Sequence, residues 1–354
     1  MSVPLFTEHF VGLAGPNFTA DCLGQDFVRV EAGAEAVAGL LDWPELNEIL
    51  STRPLDTPQL RLHRDGPEVP VERYTRENTV GGQVRRLLQP EDVYRELRDG
   101  ASLVLDSIDR LHPPITAAAD DLMRLVRELV QVNLYLVWGG GQGFNTHWDD
   151  HDTVIVQLAG TKSWAVHGPG RAYPMKADVD HDHSPPDATV WKGILSPGDI
   201  IHVPRGWWHT VRGTGGMSMH LTFGFTRRTG VDWAKWVVEQ LYEEELFRQD
   251  LPRFAPQDRR RAHHDDLVRS LTKIVAEHPP EQLLDARDRR FPRRPEINLP
   301  WPVEFQRPDD SARIVATALL EPTVYCSPDA VEVAIAGKNF RFAPVMAPLL
   351  QRLA

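Results

Sequence analysis

The chain has 354 residues, of which 42% are hydrophobic and 25% charged, with a formal net charge of −11 and only two cysteines, Cys22 and Cys326. That length suits two or three units with separate cores. The acidic balance argues against broad electrostatic binding of nucleic acid, and two distant cysteines form neither a disulfide framework nor a thiolate metal site. No leader-like pattern opens the chain and no apolar run reaches the roughly 18 residues of a membrane span, so a cytoplasmic protein without membrane association is expected.

In chain order, Pro44 should start a helix that carries Leu46, Ile49 and Leu50 on one side, with Trp43 just before it. The alternating Leu60 to Arg64, ending in Asp65-Gly66, predicts a strand and a turn. Gln89 to Arg98 predicts a short helix stopped by Gly100, and Ala101 to Ile108 a strand. From Ile115 to Val130 the spacing of Leu122, Leu125, Val126 and Leu129 predicts an amphipathic helix. Between Val132 and Phe225 short β-type runs alternate with glycine and proline turns and no helix intervenes, which points to an antiparallel sandwich or barrel rather than a βαβ sheet. A helix is expected over Val231 to Phe247, another over Asp265 to Val275 inside an arginine-rich stretch from Gln257 to Arg294, and a small α+β unit at the end, with an apolar run from Ala312 to Leu319, a β-type VEVAIAG and a helical tail from Pro344. No internal repeat appears.

The chemistry concentrates in NLYLVWGGGQGFNTHWDDHDTVIVQLAGTKSWAV, Asn133 to Val166, and in GDIIHVPRGWWHTV, Gly198 to Val211. In extended chain, residues two apart share a side, so His147 and Asp149 can reach one ion together, and His209 would close the set from the second segment. Two imidazoles and one carboxylate suit iron(II) with half its octahedral shell left for substrates. Lys162 is the best cation for the far carboxylate of a bidentate 2-oxo acid, and Asn133, Tyr135 and Thr153 would add hydrogen bonds. His151, His202 and His220 are rival imidazoles, Asp150 and Asp152 rival carboxylates; Asp152 would otherwise orient a ligand imidazole. Trp148 and Trp208 are candidates to line a substrate cleft, with Asp152 and His202 as further substrate contacts, and Asp150, Asp152 and Asp180 would suit a cationic substrate. The glycine run from Gly139 to Gly143 lacks the Lys-Ser/Thr of a phosphate loop and is expected to be a flexible turn beside the site.

These residues resemble a known family, the JmjC/cupin-fold iron(II) and 2-oxoglutarate-dependent oxygenases, and within it the ribosomal-oxygenase branch. The likeness rests on Asn133 and Tyr135, on GF-x-x-HWDDHD from Gly143 to Asp152, on QLAGTKSW from Gln157 to Trp164, on GDIIHVPRGWWH from Gly198 to His209, and on MHLTFG around His220. It implies a mainly β core, a double-stranded β-helix, with flanking helices. Residues 1–228 would form the catalytic domain with an N-terminal extension, 229–294 a helical dimerisation region and 295–354 a winged-helix-like α+β domain. It also implies iron(II) on His147, Asp149 and His209, 2-oxoglutarate on Lys162 and Asn133, and O2 as co-oxidant. The implied activity is hydroxylation of a protein or peptide side chain, such as an arginine or histidine of a ribosomal protein, by a homodimer. Two departures from the family pattern should border the pocket: His202 where relatives commonly carry an aromatic residue, and Trp138-Gly139-Gly140 in place of a proline-rich turn. Hydroxylation of a free amino acid or natural-product intermediate, and a non-catalytic metal-binding cupin with a regulatory, protein- or nucleic-acid-binding role, are the competing readings. Direct nucleic-acid binding is disfavoured by the charge.

Overall fold

The computed structural model describes residues 4–55, 57–80, 82–176, 184–292, 297 and 319–352. The chain divides into two compact units, Met1–Arg227 and Arg228–Ala354.

The first unit is a mixed α/β fold with antiparallel sheets. Strands β1 (Val28–Glu31), β2 (Leu60–His63), β5 (Ser102–Leu105), β6 (Val130–Trp138), β7 (Asp152–Ala159), β10 (Asp199–Val203) and β12 (Met217–Phe225) form a sheet in the order β1-β10-β7-β12-β6-β5-β2. Strands β8 (Lys162–Pro169), β9 (Trp191–Leu195) and β11 (Trp207–Gly213) form a smaller one, β11-β8-β9. In β8 burial alternates strictly: Lys162, Trp164, Val166 and Gly168 are buried while the residues between them are partly open, as expected of a sheet with one covered face. That covered face meets β7 and β10 through Ile155, Trp164, Leu195, Ile201 and Val203. Every residue of β10 is buried, because the large sheet is covered on both faces.

The second cover comes from the N-terminal segment and the helix Pro113–Val126. Phe6 meets Phe223 of β12 edge-on at 4.9 Å, Phe10 meets Phe18 at 4.8 Å, and Phe18 meets the ring of His202 at 5.4 Å. Full burial of each phenylalanine contributes roughly 1.5–3 kcal/mol. Asp121 of the helix ties the segment down, accepting from the Phe6 and Thr7 amides at 2.6 and 3.2 Å.

The helix Trp43–Thr52 starts as its sequence predicts, with Asp42 and Glu45 in a reciprocal capping box. The helix Pro113–Val126 ends earlier than periodicity suggested: Arg127 takes a left-handed conformation, the chain leaves the helix, and Leu129 is exposed just before β6. The hairpin of β3 (Thr75–Val80) and β4 (Gln83–Leu88) was not foreseen, since its charged residues mask the alternation.

In the second unit the expected continuous helix over Val231 to Phe247 is broken. Helix Gly230–Gln240 gives way to a 3-10 turn at Leu241–Glu243, Glu244 is extended, and a short helix follows at Glu245–Arg248. Consecutive glutamates at a helix C-terminus oppose its dipole, which favours a break there. The arginine-rich helix is longer than expected, Gln257–Glu277, because its first turns carry good helix formers but no apolar stripe to read. Helix Pro280–Arg289 follows it. Strands β13 (Thr323–Cys326), β14 (Val331–Ile335) and β15 (Lys338–Phe342) make an antiparallel sheet in that order. The helical tail from Pro344 is a 3-10 turn followed by one helical turn, Ala347–Leu350. The apolar run before Leu319 lies outside the described residues, as does the expected boundary at 294/295. Among the described residues no helix is long and apolar enough to cross a membrane.

Candidate metal centre

His147 sits just before β7 and His209 on β11, and a single antiparallel bridge joins them. The His209 amide donates to the His147 carbonyl at 2.8 Å and the His147 amide to the His209 carbonyl at 3.1 Å. The β11 register shifts between Trp208 and His209, turning the second histidine relative to the residues before it. Asp149 is fixed by its own backbone, whose carbonyl accepts from the Gly206 amide at 2.9 Å. The two imidazole centroids end 4.4 Å apart.

Hydrogen bonds orient both rings. Nδ1 of His147 lies 2.8 Å from the Asn145 carbonyl, and Nδ1 of His209 lies 3.1 Å from the Trp207 carbonyl. A carbonyl only accepts, so each Nδ1 carries a proton, and in the neutral ring each Nε2 then presents a lone pair. Those nitrogens face the two oxygens of Asp149, at 3.9 Å for His147 and 3.8 Å for His209. Donors about 2.1 Å from one ion lie at most about 4.2 Å apart, so both separations are compatible with a shared ion. All three residues offer ligand atoms within 4.8 Å of one another, and this is the only such group among the described residues. Burial, reinforced by repulsion from His147, pushes His209 down to about 4, which keeps it a neutral donor. Its side chain is 7% exposed against 40% for His147 and 32% for Asp149, so the group is closed toward the small sheet and open on the other side.

The open side is a cavity of about 250 Å³ between the two sheets. Tyr135, Thr153 and Thr222 border it from the large sheet, Lys162, Trp164 and Val211 from the small one. Lys162, buried in phase with Trp164, reaches across: its Nζ lies 2.7 Å from Nδ1 of His220 and donates to the Tyr135 carbonyl at 3.2 Å. Burial brings its pKa down to about 7. Burial, then the charge of Asp149, pushes the Tyr135 phenol well above its ordinary range.

The other sequence candidates separate by position. Thr153 lines the cavity, its hydroxyl donating weakly to the Val203 carbonyl at 3.4 Å. Asn133 is not on the cavity wall; it accepts from the Ser107 amide at 3.1 Å and pairs with the Tyr135 hydroxyl, so it acts behind Tyr135. Asp152 and His202 lie 3.5 Å apart on the reverse face of the large sheet, where Nδ1 of His202 donates to the Asp26 carbonyl. Neither borders the cavity, and Asp152 is not behind a metal-site imidazole. Strand alternation explains this: Thr153 and Ile155 face inward, so Asp152 cannot. Trp208 is buried and Trp148 half-buried, and neither lines the cavity. Asp150 is engaged by His151 at 3.0 Å, and Asp180 lies outside the described residues.

The glycine run is tied rather than free. The Gly139 amide donates to the Gly216 carbonyl and the Gly213 amide to the Gly141 carbonyl, both at 3.1 Å, while Gly141 and Gly143 line the cavity. A Cβ on Gly141 would come within 2.4 Å of the Gly100 carbonyl oxygen, so this wall needs bare backbone. Sequence reasoning offered His220 only as a rival metal ligand and did not single out Phe144; both are on the cavity wall.

Comparison with known proteins agrees with this geometry. Residues 110–232 match the JmjC domain family. Ribosomal oxygenase 1 of Bos taurus is 33% identical over 131 residues, covering 34% of this chain and 20% of that protein. A bifunctional lysine-specific demethylase and histidyl-hydroxylase, NO66, of Drosophila persimilis is 30% identical over 95 residues, covering 27% of this chain and 14% of that protein. The chain thus aligns with a fifth or less of the length of these two curated relatives. The crystal structure of the Escherichia coli ribosomal oxygenase YcfD superposes with a TM-score of 0.53 at 19% identity, over 96% of this chain and 88% of that one, a likeness of fold. The domain match falls on the strands that hold His147, Asp149 and His209, so this part of the chain is similar to the JmjC domain, and the fold resembles that of the ribosomal oxygenase YcfD.

Proposed function

We propose that the protein is an iron(II)- and 2-oxoglutarate-dependent hydroxylase acting on a side chain of a protein or peptide. The observation that carries this is the donor set itself: two imidazoles and one carboxylate, converging from one side and opening on a cavity with a buried lysine. That set suits a redox-active ion with exchangeable positions. When bound, iron(II) with 2-oxoglutarate and O2 supplies the oxidising power to hydroxylate an unactivated C–H bond, with succinate and CO2 as co-products.

The chain's own residues do the positioning. The Nδ1–H bonds of His147 and His209 fix which nitrogens face the ion, and Asp149 neutralises part of its charge. Lys162 would hold the distal carboxylate of 2-oxoglutarate from the cavity wall. Tyr135, backed by Asn133, and Thr153 provide polar contacts beside it, while Ile155, Trp164 and Val211 keep water from the reacting centre. The YcfD structures with cobalt and 2-oxoglutarate, and with cobalt and succinic acid, support the same occupants here. The two facing sheets support a double-stranded β-helix, and the names of the relatives favour a ribosomal-protein substrate. Incubating the protein with iron(II), 2-oxoglutarate and ribosomal proteins should yield succinate and a one-oxygen mass gain on one side chain; succinate without any modified protein would redirect the substrate to small molecules.

Self-association belongs to the same reading. Val268, Leu271 and Val275 follow one another at helical spacing on Gln257–Glu277 and are 48%, 37% and 36% exposed, a stripe suited to pairing with a second copy. Light scattering should report a dimer that V268D/L271D converts to a monomer. The winged-helix reading of 295–354 rests on the β13–β15 sheet and the Ala347–Leu350 turn.

A further inference from the structure

Among the cavity residues, His220 is the one whose placement the triad and the lysine leave unexplained. It lies on β12, buried, with its ring stacked on Tyr135 at 5.1 Å and edge-on to Trp164 at 5.8 Å. A histidine held only by packing would show no polar contact, yet Nδ1 of His220 sits 2.7 Å from Nζ of Lys162. Its other nitrogen, Nε2, has no partner among the described residues, and His220 borders the cavity.

With Lys162 charged, as an anionic ligand requires, counting donors fixes the proton positions. A lysine ammonium has three N–H bonds and no acceptor. One goes to the Tyr135 carbonyl, one to Nδ1 of His220, and the third is left for a ligand. With Nδ1 accepting, a neutral imidazole must carry its proton on Nε2, so that nitrogen becomes a donor. Burial and the neighbouring Lys162 charge both hold His220 well below the usual imidazole range, consistent with a neutral ring.

We infer that His220 is a second anchor for the distal carboxylate of a 2-oxo dicarboxylic acid: Lys162 sets its tautomer, and its Nε2–H donates to the carboxylate that the third Lys162 N–H also holds. The inference deepens the proposed function and rests on it. A donor at this point favours a cosubstrate that ends in a carboxylate over a 2-oxo acid with an apolar tail, and it makes His220 a cosubstrate-binding residue with no part in holding the ion.

Two substitutions separate the two ring nitrogens. In His220→Gln the side-chain amide reaches the place of Nε2 and can still donate there, whereas in His220→Asn a polar atom stays near the place of Nδ1 but none reaches the carboxylate. Binding of 2-oxoglutarate is measured by calorimetry on the manganese(II)-loaded full chain, and KM and kcat on the iron(II) form. Loss of one hydrogen bond to a charged group corresponds to about tenfold or more in affinity. H220N should therefore weaken 2-oxoglutarate binding and raise its KM about tenfold, with kcat within about twofold, while H220Q stays within about threefold of the wild type. Equal losses in both variants, or none in either, would overturn the inference. Independently, nitrogen-15 histidine NMR of the wild-type protein with 2-oxoglutarate bound, at a pH below 7 where Lys162 is charged, should show His220 neutral and protonated on Nε2; protonation on Nδ1 would overturn it too. If the wild-type protein itself binds no 2-oxoglutarate when loaded with metal, the proposed function fails; if it binds and both variants match it, only the role of His220 does.

Discussion

His147 and His209 are each other's backbone partner: two reciprocal amide-to-carbonyl bonds, at 2.8 and 3.1 Å, join residues 62 positions apart and bring their rings to 4.4 Å. The metal-site geometry is thus built by main chain, and a side-chain substitution should remove a ligand without dissolving the frame that holds the others.

His209→Ala follows directly. Without metal, its stability should change by about 2 kcal/mol or less, read by denaturant unfolding, since the bridge survives. Its affinity for iron(II) or manganese(II) should fall by more than the roughly 10–100-fold that changes behind a ligand typically cost. Retained tight metal binding would remove His209 from the site.

Lys162 makes cosubstrate binding depend on pH. Its pKa in the folded protein is about 7 against an ordinary 10.5, so between those values the unfolded chain binds a proton that the folded one does not. Stability of the ligand-free protein should therefore rise with pH across that window. An anionic ligand prefers the charged lysine, so 2-oxoglutarate affinity should weaken by up to about tenfold per pH unit above 7. Lys162→Arg, charged throughout, should flatten that dependence, as titrations at pH 7, 8 and 9 would show.

Gly160 sets up the approach to Lys162. It holds φ at +60°, and a Cβ there would lie 2.0 Å from the Met217 carbonyl oxygen. Gly160→Ala should cost about 2 kcal/mol or more of stability in denaturant unfolding, since both strain and a backbone clash oppose it. A neutral result would mean that the turn rearranges freely.

Glu96 is fully buried and is shared by Arg64 and Arg73, whose side chains are 29% and 51% exposed. Removing a carboxylate from a fully buried pair costs about 3–5 kcal/mol. Here water can still reach both arginines, so Glu96→Ala should cost less, about 2–3 kcal/mol, by the same unfolding measurement.

The residues that make the site were legible in sequence where local spacing decides the outcome. His147 and Asp149 are two apart, and Lys162 opens a strand just after the Gly160-Thr161 turn. The face on which a residue lands was not legible where both sides of a strand are covered. Asp152 and His202 look as polar and as strand-borne as Thr153, yet they point to the N-terminal layer, whose phenylalanines come from far along the chain. His220 was hidden for the same reason: its meaning depends on Lys162 crossing from the other sheet, a contact 58 residues away in sequence. The glycine run could be recognised as a turn, but its close approach to Gly100 could not. The hairpin β3–β4 and the first turns of Gln257–Glu277 escaped because solvent-facing elements rich in charge leave no apolar period to read.

Anaerobic titration of the protein with iron(II) and then 2-oxoglutarate tests the central claim most directly. The proposed function predicts one iron and one 2-oxoglutarate per chain, with a weak metal-to-ligand charge-transfer absorption that appears only when both are present and is lost in His209→Ala. Iron binding with no absorption change on adding 2-oxoglutarate, or an unchanged band in His209→Ala, would contradict it.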